Sequence, residues 1–149
     1  MHLEIDLEKC IDCKNCMLMC SFVNEKVFNP KLSRIKVSRE DYTKLSWNVC
    51  QQHEVSLCKE NSCIRACPRG AISKKGGRIV IDYELCNGCG KCVEVCPFNA
   101  IKLHPITKKP IVCVLCLNCV LTCKRGAIRI VDERGRDITE KVLKERGLK

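Results

Sequence analysis

Short runs of alternating apolar and polar residues recur along the chain and predict small strands joined by tight turns. The predicted strands are residues 71–73, 78–81, 101–103, 110–112 and 128–131. The first two flank Lys75-Gly76-Gly77, which predicts a hairpin because glycine accepts a positive φ in a tight turn. Short helical turns are expected between cysteines at 93–95 and 120–122.

Two segments lie outside this repeating pattern. Residues 32–38 alternate like an exposed strand, and the cysteine-free interval that contains them ends close to Trp47. Trp47 either covers a hydrophobic site or anchors a partner. Residues 139–147 predict a short helix with Thr139 as its N-cap, which either packs on the chain's own body or docks onto another subunit.

The sixteen cysteines fall into four groups of four. The groups are Cys10, Cys13, Cys16, Cys20; Cys50, Cys58, Cys63, Cys67; Cys86, Cys89, Cys92, Cys96; and Cys113, Cys116, Cys119, Cys123. The first, third and fourth groups read C-x2-C-x2-C-x3-C, whereas the second keeps only the last gap. Three closely spaced thiolates wrap one side of an iron–sulfur cubane, and the fourth cysteine ligates a different cluster. The spacing therefore predicts four [4Fe–4S] clusters and a function in moving electrons.

The last cysteine of the second, third and fourth groups begins the pattern C-x-x-x-A-I. Each of these cluster loops is therefore expected to lead into a short strand. We predict an α+β fold of two intertwined bacterial-ferredoxin-like βαββαβ modules, loop-rich and nucleated by its clusters. Both modules belong to a single polyferredoxin domain, 1–149. The inner module spans about 50–104, the outer module about 1–49 plus 105–131, and 132–149 forms a helical tail.

Proline follows the last cysteine only in the second and third groups, at Pro68 and Pro97, so these two groups are predicted to share the inner module. Exchange of fourth cysteines within each module then defines four sites. Site 1 has Cys10, Cys13, Cys16 and Cys123; site 2 has Cys113, Cys116, Cys119 and Cys20; site 3 has Cys50, Cys58, Cys63 and Cys96; site 4 has Cys86, Cys89, Cys92 and Cys67. Sequential pairing of the first group with the second, and of the third with the fourth, is the alternative.

The stretched start of the second group leaves one ligand open. His53 stands three residues after Cys50, where the spacing of the other groups has a cysteine. Either Cys50 ligates from a longer loop and His53 is solvated, or a histidine binds the iron. Zinc is the alternative metal for the whole set, but zinc ribbons use paired C-x2-C knuckles and do not need triplets with a detached fourth ligand.

The predicted clusters offset most of the positive charge of the chain. The 27 basic and 17 acidic residues give a formal charge of +10, but each oxidised cluster with its four thiolates carries about −2. The loaded protein is therefore close to neutral, and we expect its basic residues to balance cluster charge and not to bind nucleic acid. Only six residues are Phe, Trp or Tyr, so metal–ligand bonds are expected to supply much of the folding free energy.

No apolar leader is apparent at 1–6, and the most apolar stretch, 111–123, has 13 residues, too few to span a bilayer. We therefore expect no direct membrane insertion. Dense cysteines form disulfides in oxidising compartments, but clusters suit a reducing one. The expected location is the cytoplasm.

With these motifs placed, residues 5–131 resemble the four-cluster, ferredoxin-like electron-transfer subunits of molybdenum and tungsten oxidoreductases. The compact length is similar to that of the small subunit of tungsten aldehyde oxidoreductase. The second motif of that family is C-x2-C-x4-C-x3-C-P, and here Cys58, Cys63, Cys67 and Pro68 match it while Cys50 does not.

The resemblance implies a non-catalytic wire. Its clusters would run from site 1, next to the catalytic cofactor of a large subunit, through sites 2 and 3 to site 4, which faces an outer redox partner. It implies a large catalytic subunit as partner and admits a further flavin or hydrogenase-type subunit. A free polyferredoxin that shuttles electrons between enzymes is the alternative.

Overall fold

The computed structural model describes residues 1–39, 44–50, 58, 62–76 and 78–148. The strands in this part of the chain are β1 His2–Ile5, β2 Lys36–Arg39, β3 Leu45–Asn48, β4 Ile72–Lys75, β5 Arg78–Ile81, β6 Lys102–Leu103, β7 Pro110–Ile111 and β8 Ile128–Val131. The helices are α1 Asn15–Glu25, α2 Ser62–Arg65, α3 Lys91–Glu94, α4 Asn118–Thr122 and α5 Thr139–Glu145, with a 3-10 turn at Pro30–Leu32. The fold is a mixed one of short elements held together by loops.

The strands pair as four two-stranded antiparallel sheets: β1 with β8, β2 with β3, β4 with β5, and β6 with β7. The β4–β5 hairpin is confirmed, with Gly76 at a φ of 54° in its turn. The two-module βαββαβ organisation and its boundaries stay predictions.

The β1–β8 sheet joins segments that lie far apart in the sequence. Leu3 pairs with Ile130, and both side chains are buried. Glu4 pairs with Arg129, and their side chains form an ion pair of 3.0 Å on the more exposed face. The alternation of apolar and charged residues therefore fixes which face of this sheet enters the core.

The buried side chains of the described residues form two hydrophobic cores. One combines residues of β1, α1, β2, α4, β8 and α5, and its most buried members include Ile35, Leu117 and Ile130. The other combines β4 and β5 with residues before β6 and after β7, and includes Ile72 and Ile101. Cysteines contribute to both cores, and Cys50 packs against each of them.

The segment predicted as an exposed strand is different in the structure. Residues Pro30–Leu32 form the 3-10 turn, and only Lys36–Arg39 is a strand. Leu32, Ile35 and Val37 are all buried, because this stretch packs against the first core. Alternation alone did not show that its apolar face is covered.

The C-terminal helix α5 packs against β8, with Val142 and Leu143 in the first core. The prediction that Thr139 caps this helix was wrong. Its hydroxyl accepts a hydrogen bond from the Ile130 N–H at 2.8 Å, while the Asp137 carboxylate accepts one from the Thr139 N–H at 2.9 Å. Thr139 therefore ties the helix to the strand.

Candidate metal centres

The loops that carry the first three cysteines of the first, third and fourth groups share one backbone form. In each loop the residues two and four positions after the first cysteine have positive φ. They are Asp12 and Lys14, Gly88 and Gly90, and Leu115 and Leu117, with φ between 53° and 78°. Left-handed residues at these two positions turn the chain back on itself, so that the thiols lie on one side of the loop. Only the third group has glycine at these two positions, so only there does the sequence indicate the left-handed backbone. The other two groups hold non-glycine residues in a conformation that costs energy.

An aspartate precedes the first and third groups in the repeat I-D-x-E-x-C, at residues 5–10 and 81–86. The carboxylate of Asp6 accepts the N–H groups of Glu8 and Lys9 at 3.0 and 3.3 Å. Asp82 does the same for the two equivalent residues, at 2.9 and 3.3 Å. The sequence contains this repeat, but the cysteine pattern alone did not draw attention to it. Its function is to fix the turn that delivers the first cysteine of each loop.

The alanine of each C-x-x-x-A-I repeat donates its N–H to the sulfur of the preceding cysteine. The pairs are Ala71 to Cys67, Ala100 to Cys96 and Ala127 to Cys123, each at 3.3 Å. All three alanines are almost completely buried, so a larger side chain has no room there. Backbone donors to the cysteine sulfurs in this chain therefore include alanines.

Two of these alanines also join distant cysteine groups. The Ala127 carbonyl accepts the Asp6 N–H at 2.7 Å, and the Ala71 carbonyl accepts the Asp82 N–H at 2.8 Å. One alanine thus binds Cys123 with its N–H and the start of the Cys10 loop with its carbonyl. The other binds Cys67 and the start of the Cys86 loop in the same way. These contacts bring fourth cysteines to the loops of other groups.

The cysteines predicted for three of the sites line common cavities. A cavity of about 280 Å³ is lined by Cys10, Cys13, Cys16 and Cys123. A second cavity is lined by Cys20, Cys113, Cys116 and Cys119, and a third by Cys50, Cys58, Cys63 and Cys96. At the fourth set, burial raises the pKa of Cys92 to about 11, and the nearby thiols of Cys86, Cys89 and Cys67 also raise it. His53 lies outside the described residues.

Neighbouring sets also lie close enough to each other for their thiols to interact electrostatically. Besides burial and the thiols of its own set, Cys16 raises the pKa of Cys119, linking sites 1 and 2. In the same way Cys113 raises the pKa of Cys50, and Cys92 raises that of Cys63. The helices agree: α1, with Cys16 and Cys20, packs on α4, and α2 packs on α3. The thiol sets therefore form a row from site 1 to site 4.

The chain also matches known iron–sulfur proteins in sequence. Models described as 4Fe-4S binding domains match residues 7–23 and 79–102. The formate dehydrogenase iron-sulfur subunit of Haemophilus influenzae is 31% identical over 84% of this chain and 49% of its own length. The polyferredoxin-like subunit of aliphatic sulfonate oxidoreductase from Pyrococcus furiosus is 30% identical over 93% of this chain and 82% of its own. The chain belongs to the family of iron–sulfur electron-transfer subunits of oxidoreductases.

This iron–sulfur subunit spans about half the length of its formate dehydrogenase relative. A solved structure, the active-site complex BamBC of benzoyl coenzyme A reductase with benzoyl-CoA, matches 99% of this chain and 88% of that chain. Its identity is 22% and its TM-score 0.45. Within the described residues, no helix has the length and hydrophobicity needed to cross a bilayer.

The donor sets of the iron–sulfur subunit fit clusters. All sixteen cysteines are free thiols. Burial, with smaller contributions from neighbouring thiols, raises the pKa of Cys16 and Cys63 to about 11, so thiolates are unfavourable here without a cation. In the described ranges no three His, Cys, Asp or Glu side chains converge on one ion. A cubane does not need such convergence, because each of its four thiolates binds a different iron.

Site 2 offers one further fitting feature. Arg34 lines its cavity together with the four thiols. The Nε–H of Arg34 is buried and, among the described residues, has no hydrogen-bond partner. A buried donor without an acceptor is costly, and an anionic group bound in this cavity offers the Nε–H an acceptor.

Proposed function

We propose that the iron–sulfur subunit holds one [4Fe–4S] cluster at each of sites 1 to 4. In this proposal it conducts electrons between a large catalytic oxidoreductase subunit and an external redox partner. A bound cluster supplies reversible one-electron storage. The observation that carries the proposal is the order of the thiol sets: α1 packs on α4, α2 packs on α3, and each set lies close enough to the next for their thiols to interact electrostatically. A row of neighbouring redox centres is what a wire requires.

The chain's own residues hold and tune the centres. Thiolates bind iron, and the N–H groups of Ala71, Ala100 and Ala127 face the sulfurs of Cys67, Cys96 and Cys123. Donors to sulfur stabilise the negative charge that arrives with an electron and so raise the reduction potential. The chain itself is non-catalytic, and the substrate chemistry belongs to its partner.

The two ends of the row are the natural contacts with other proteins. Among the sixteen cysteines the exposed ones are Cys13, in site 1, and Cys89, in site 4. We assign site 1 to the catalytic cofactor, a molybdenum or tungsten centre as in an aldehyde oxidoreductase, and site 4 to the outer partner, with a flavin or hydrogenase-type subunit as one option. Basic residues at the rim of site 1, such as Lys9 and Arg125, suit an acidic partner surface.

We further propose a cytoplasmic complex that binds no nucleic acid, since the excess positive charge offsets that of the clusters. Ligation by the sixteen cysteines in the exchanged pairs is part of this proposal. The alanine contacts that join Cys123 to the Asp6 turn, and Cys67 to the Asp82 turn, support the exchange over sequential pairing.

Anaerobic purification of the tagged chain from its native host tests the subunit assignment. We expect a large polypeptide to co-elute in a fixed ratio, together with molybdenum or tungsten in the metal analysis. Recovery of this polypeptide alone, monodisperse and loaded with iron, would support a free polyferredoxin instead. Loading and assembly are separate readouts, so each part of the proposal is tested by itself.

A further inference from the structure

Cys20 differs from the other fourth cysteines in how its sulfur is held. Cys67, Cys96 and Cys123 each face the N–H of an alanine four residues later. Cys20 lies inside α1, and its sulfur accepts the N–H of Arg34, fourteen residues away, at 3.2 Å. The donor at this site therefore comes from a separate segment, and a group bound to that segment is able to polarise the donor.

A lysine binds the other end of the peptide group that carries this donor. The Lys102 ammonium donates to the Ser33 carbonyl at 2.6 Å. The Ser33 carbonyl and the Arg34 N–H are the two ends of one peptide group. An ammonium on the oxygen draws electron density from the nitrogen and makes its N–H a stronger donor, as expected for hydrogen bonds in series. The series runs from Lys102 through one peptide to the sulfur of Cys20.

The partly buried position of Lys102 reduces the screening of its charge by solvent. Ser33 is fully buried and Lys102 is partly buried, in β6. Burial lowers the pKa of Lys102, the nearby Cys20 thiol raises it, and Lys36 lowers it. Charges in partly buried positions are screened less than those at the surface.

The Arg34 side chain adds a second cation at the same site. Its Nη1 donates to the Asn24 side-chain oxygen at 2.7 Å and its Nη2 to Glu25 at 2.9 Å. Asn24 in turn places its amide nitrogen 3.8 Å from the sulfur of Cys20. Glu25, which also faces His104 at 3.8 Å, offsets part of the Arg34 charge. The Lys102 ammonium is bound to a neutral carbonyl, and in the described part of the chain no carboxylate forms an ion pair with it.

We propose that Lys102 is a positioning residue that raises the reduction potential of the cluster at site 2 by acting through the Ser33–Arg34 peptide on Cys20. This inference rests on the proposed function. Reduction adds one electron to the oxidised cluster, breaks no bond, and makes the site more negative by one charge. The polarised N–H stabilises that added charge, so a residue of β6 sets the potential of a cluster held mainly by α1 and the fourth group.

The test is an anaerobic redox titration of the loaded protein with dithionite, followed by electron paramagnetic resonance. The site 2 signal is the one that a Cys20→Ser variant loses. Lys102→Met should shift the site 2 midpoint to more negative potential, changing its oxidised-to-reduced ratio at fixed potential by about tenfold, the size of one nearby charge's effect on a protonation equilibrium. Lys102→Arg should restore the native midpoint. The matched control Lys141→Met removes an exposed lysine and should leave it unchanged.

Lys102→Gln separates charge from hydrogen-bonding capacity, because its neutral amide is a donor available to the Ser33 carbonyl. It is the decisive variant if Lys102→Met does not load site 2. A native site 2 midpoint in Lys102→Gln would overturn the inference, as would an equal shift of all four signals or an equal shift in Lys141→Met. A native protein with no cluster at site 2 would instead overturn the proposed function, before any variant is compared.

Discussion

Replacing Cys123 by serine tests the exchange of fourth cysteines. Cys123 lines the site 1 cavity, and its neighbour Ala127 is hydrogen-bonded to the turn at Asp6. We expect the variant to lose the cluster at site 1 alone. Iron should then fall by a quarter, about four of about sixteen atoms. The thiols set free should be those of Cys10, Cys13 and Cys16.

Anaerobic alkylation with iodoacetamide followed by mass spectrometry identifies the free thiols, because thiols bound to iron are protected. The three should react at different rates. Cys13 is exposed, whereas Cys16 is partly buried with its pKa raised from 9.0 to about 11, chiefly by burial. At pH 8 that difference leaves about a hundredth of the thiolate. Cys13 should therefore be modified first, and Cys16 about a hundredfold more slowly than an ordinary thiol.

Cys96→Ser is the matched control, and it should free Cys50, Cys58 and Cys63 while leaving site 1 protected. The exchanged pairing is wrong if Cys123→Ser exposes Cys86, Cys89 and Cys92 instead. That outcome is what sequential pairing of the third and fourth groups predicts.

Three further predictions concern the loops and the metal. Gly88→Ala should speed cluster loss at site 4 in air more than Gly76→Ala, as followed by alkylation. Both have positive φ, but only at Gly88 does an added Cβ come within 3.1 Å of the Lys108 carbonyl, a contact that costs about 1–3 kcal/mol more; equal rates would contradict this. Asp82→Ala should make the Cys86 thiol react faster in the same alkylation assay, because the turn before Cys86 loses its acceptor. Asp82→Asn keeps an acceptor and should behave as native. An equal effect of the two variants would show that these hydrogen bonds do not hold Cys86 in place. Removing iron with ferricyanide and chelator should abolish the far-ultraviolet circular dichroism, because strands of two to four residues are not stable alone; an unchanged spectrum would show a self-sufficient apo fold.

Local patterns predicted local structure well. The hairpin at Gly76 followed from alternation around glycines, and the short helices α3 and α4 fall where turns between cysteines were expected. Both depend on residues near each other in sequence. The pairing of β1 with β8 was not foreseen, because antiparallel partners so far apart are selected by the core and not by a local signal.

The remaining features of the site depend on tertiary contacts. Leu115 and Leu117 adopt left-handed backbone without glycine, and no sequence signal marks them. Arg34 reaches Cys20 because the 3-10 turn folds back onto α1, and Lys102 reaches Ser33 across 69 residues. The I-D-x-E-x-C repeat was available in the sequence and becomes meaningful once its hydrogen bonds are known.

The most direct measurement is the iron and acid-labile sulfide content of protein purified without oxygen, combined with Mössbauer spectroscopy. Four cubane clusters hold about sixteen iron and about sixteen sulfide per polypeptide, and this is the content that we expect. A preparation that is fully folded with zinc, or with iron far below that number, would contradict it.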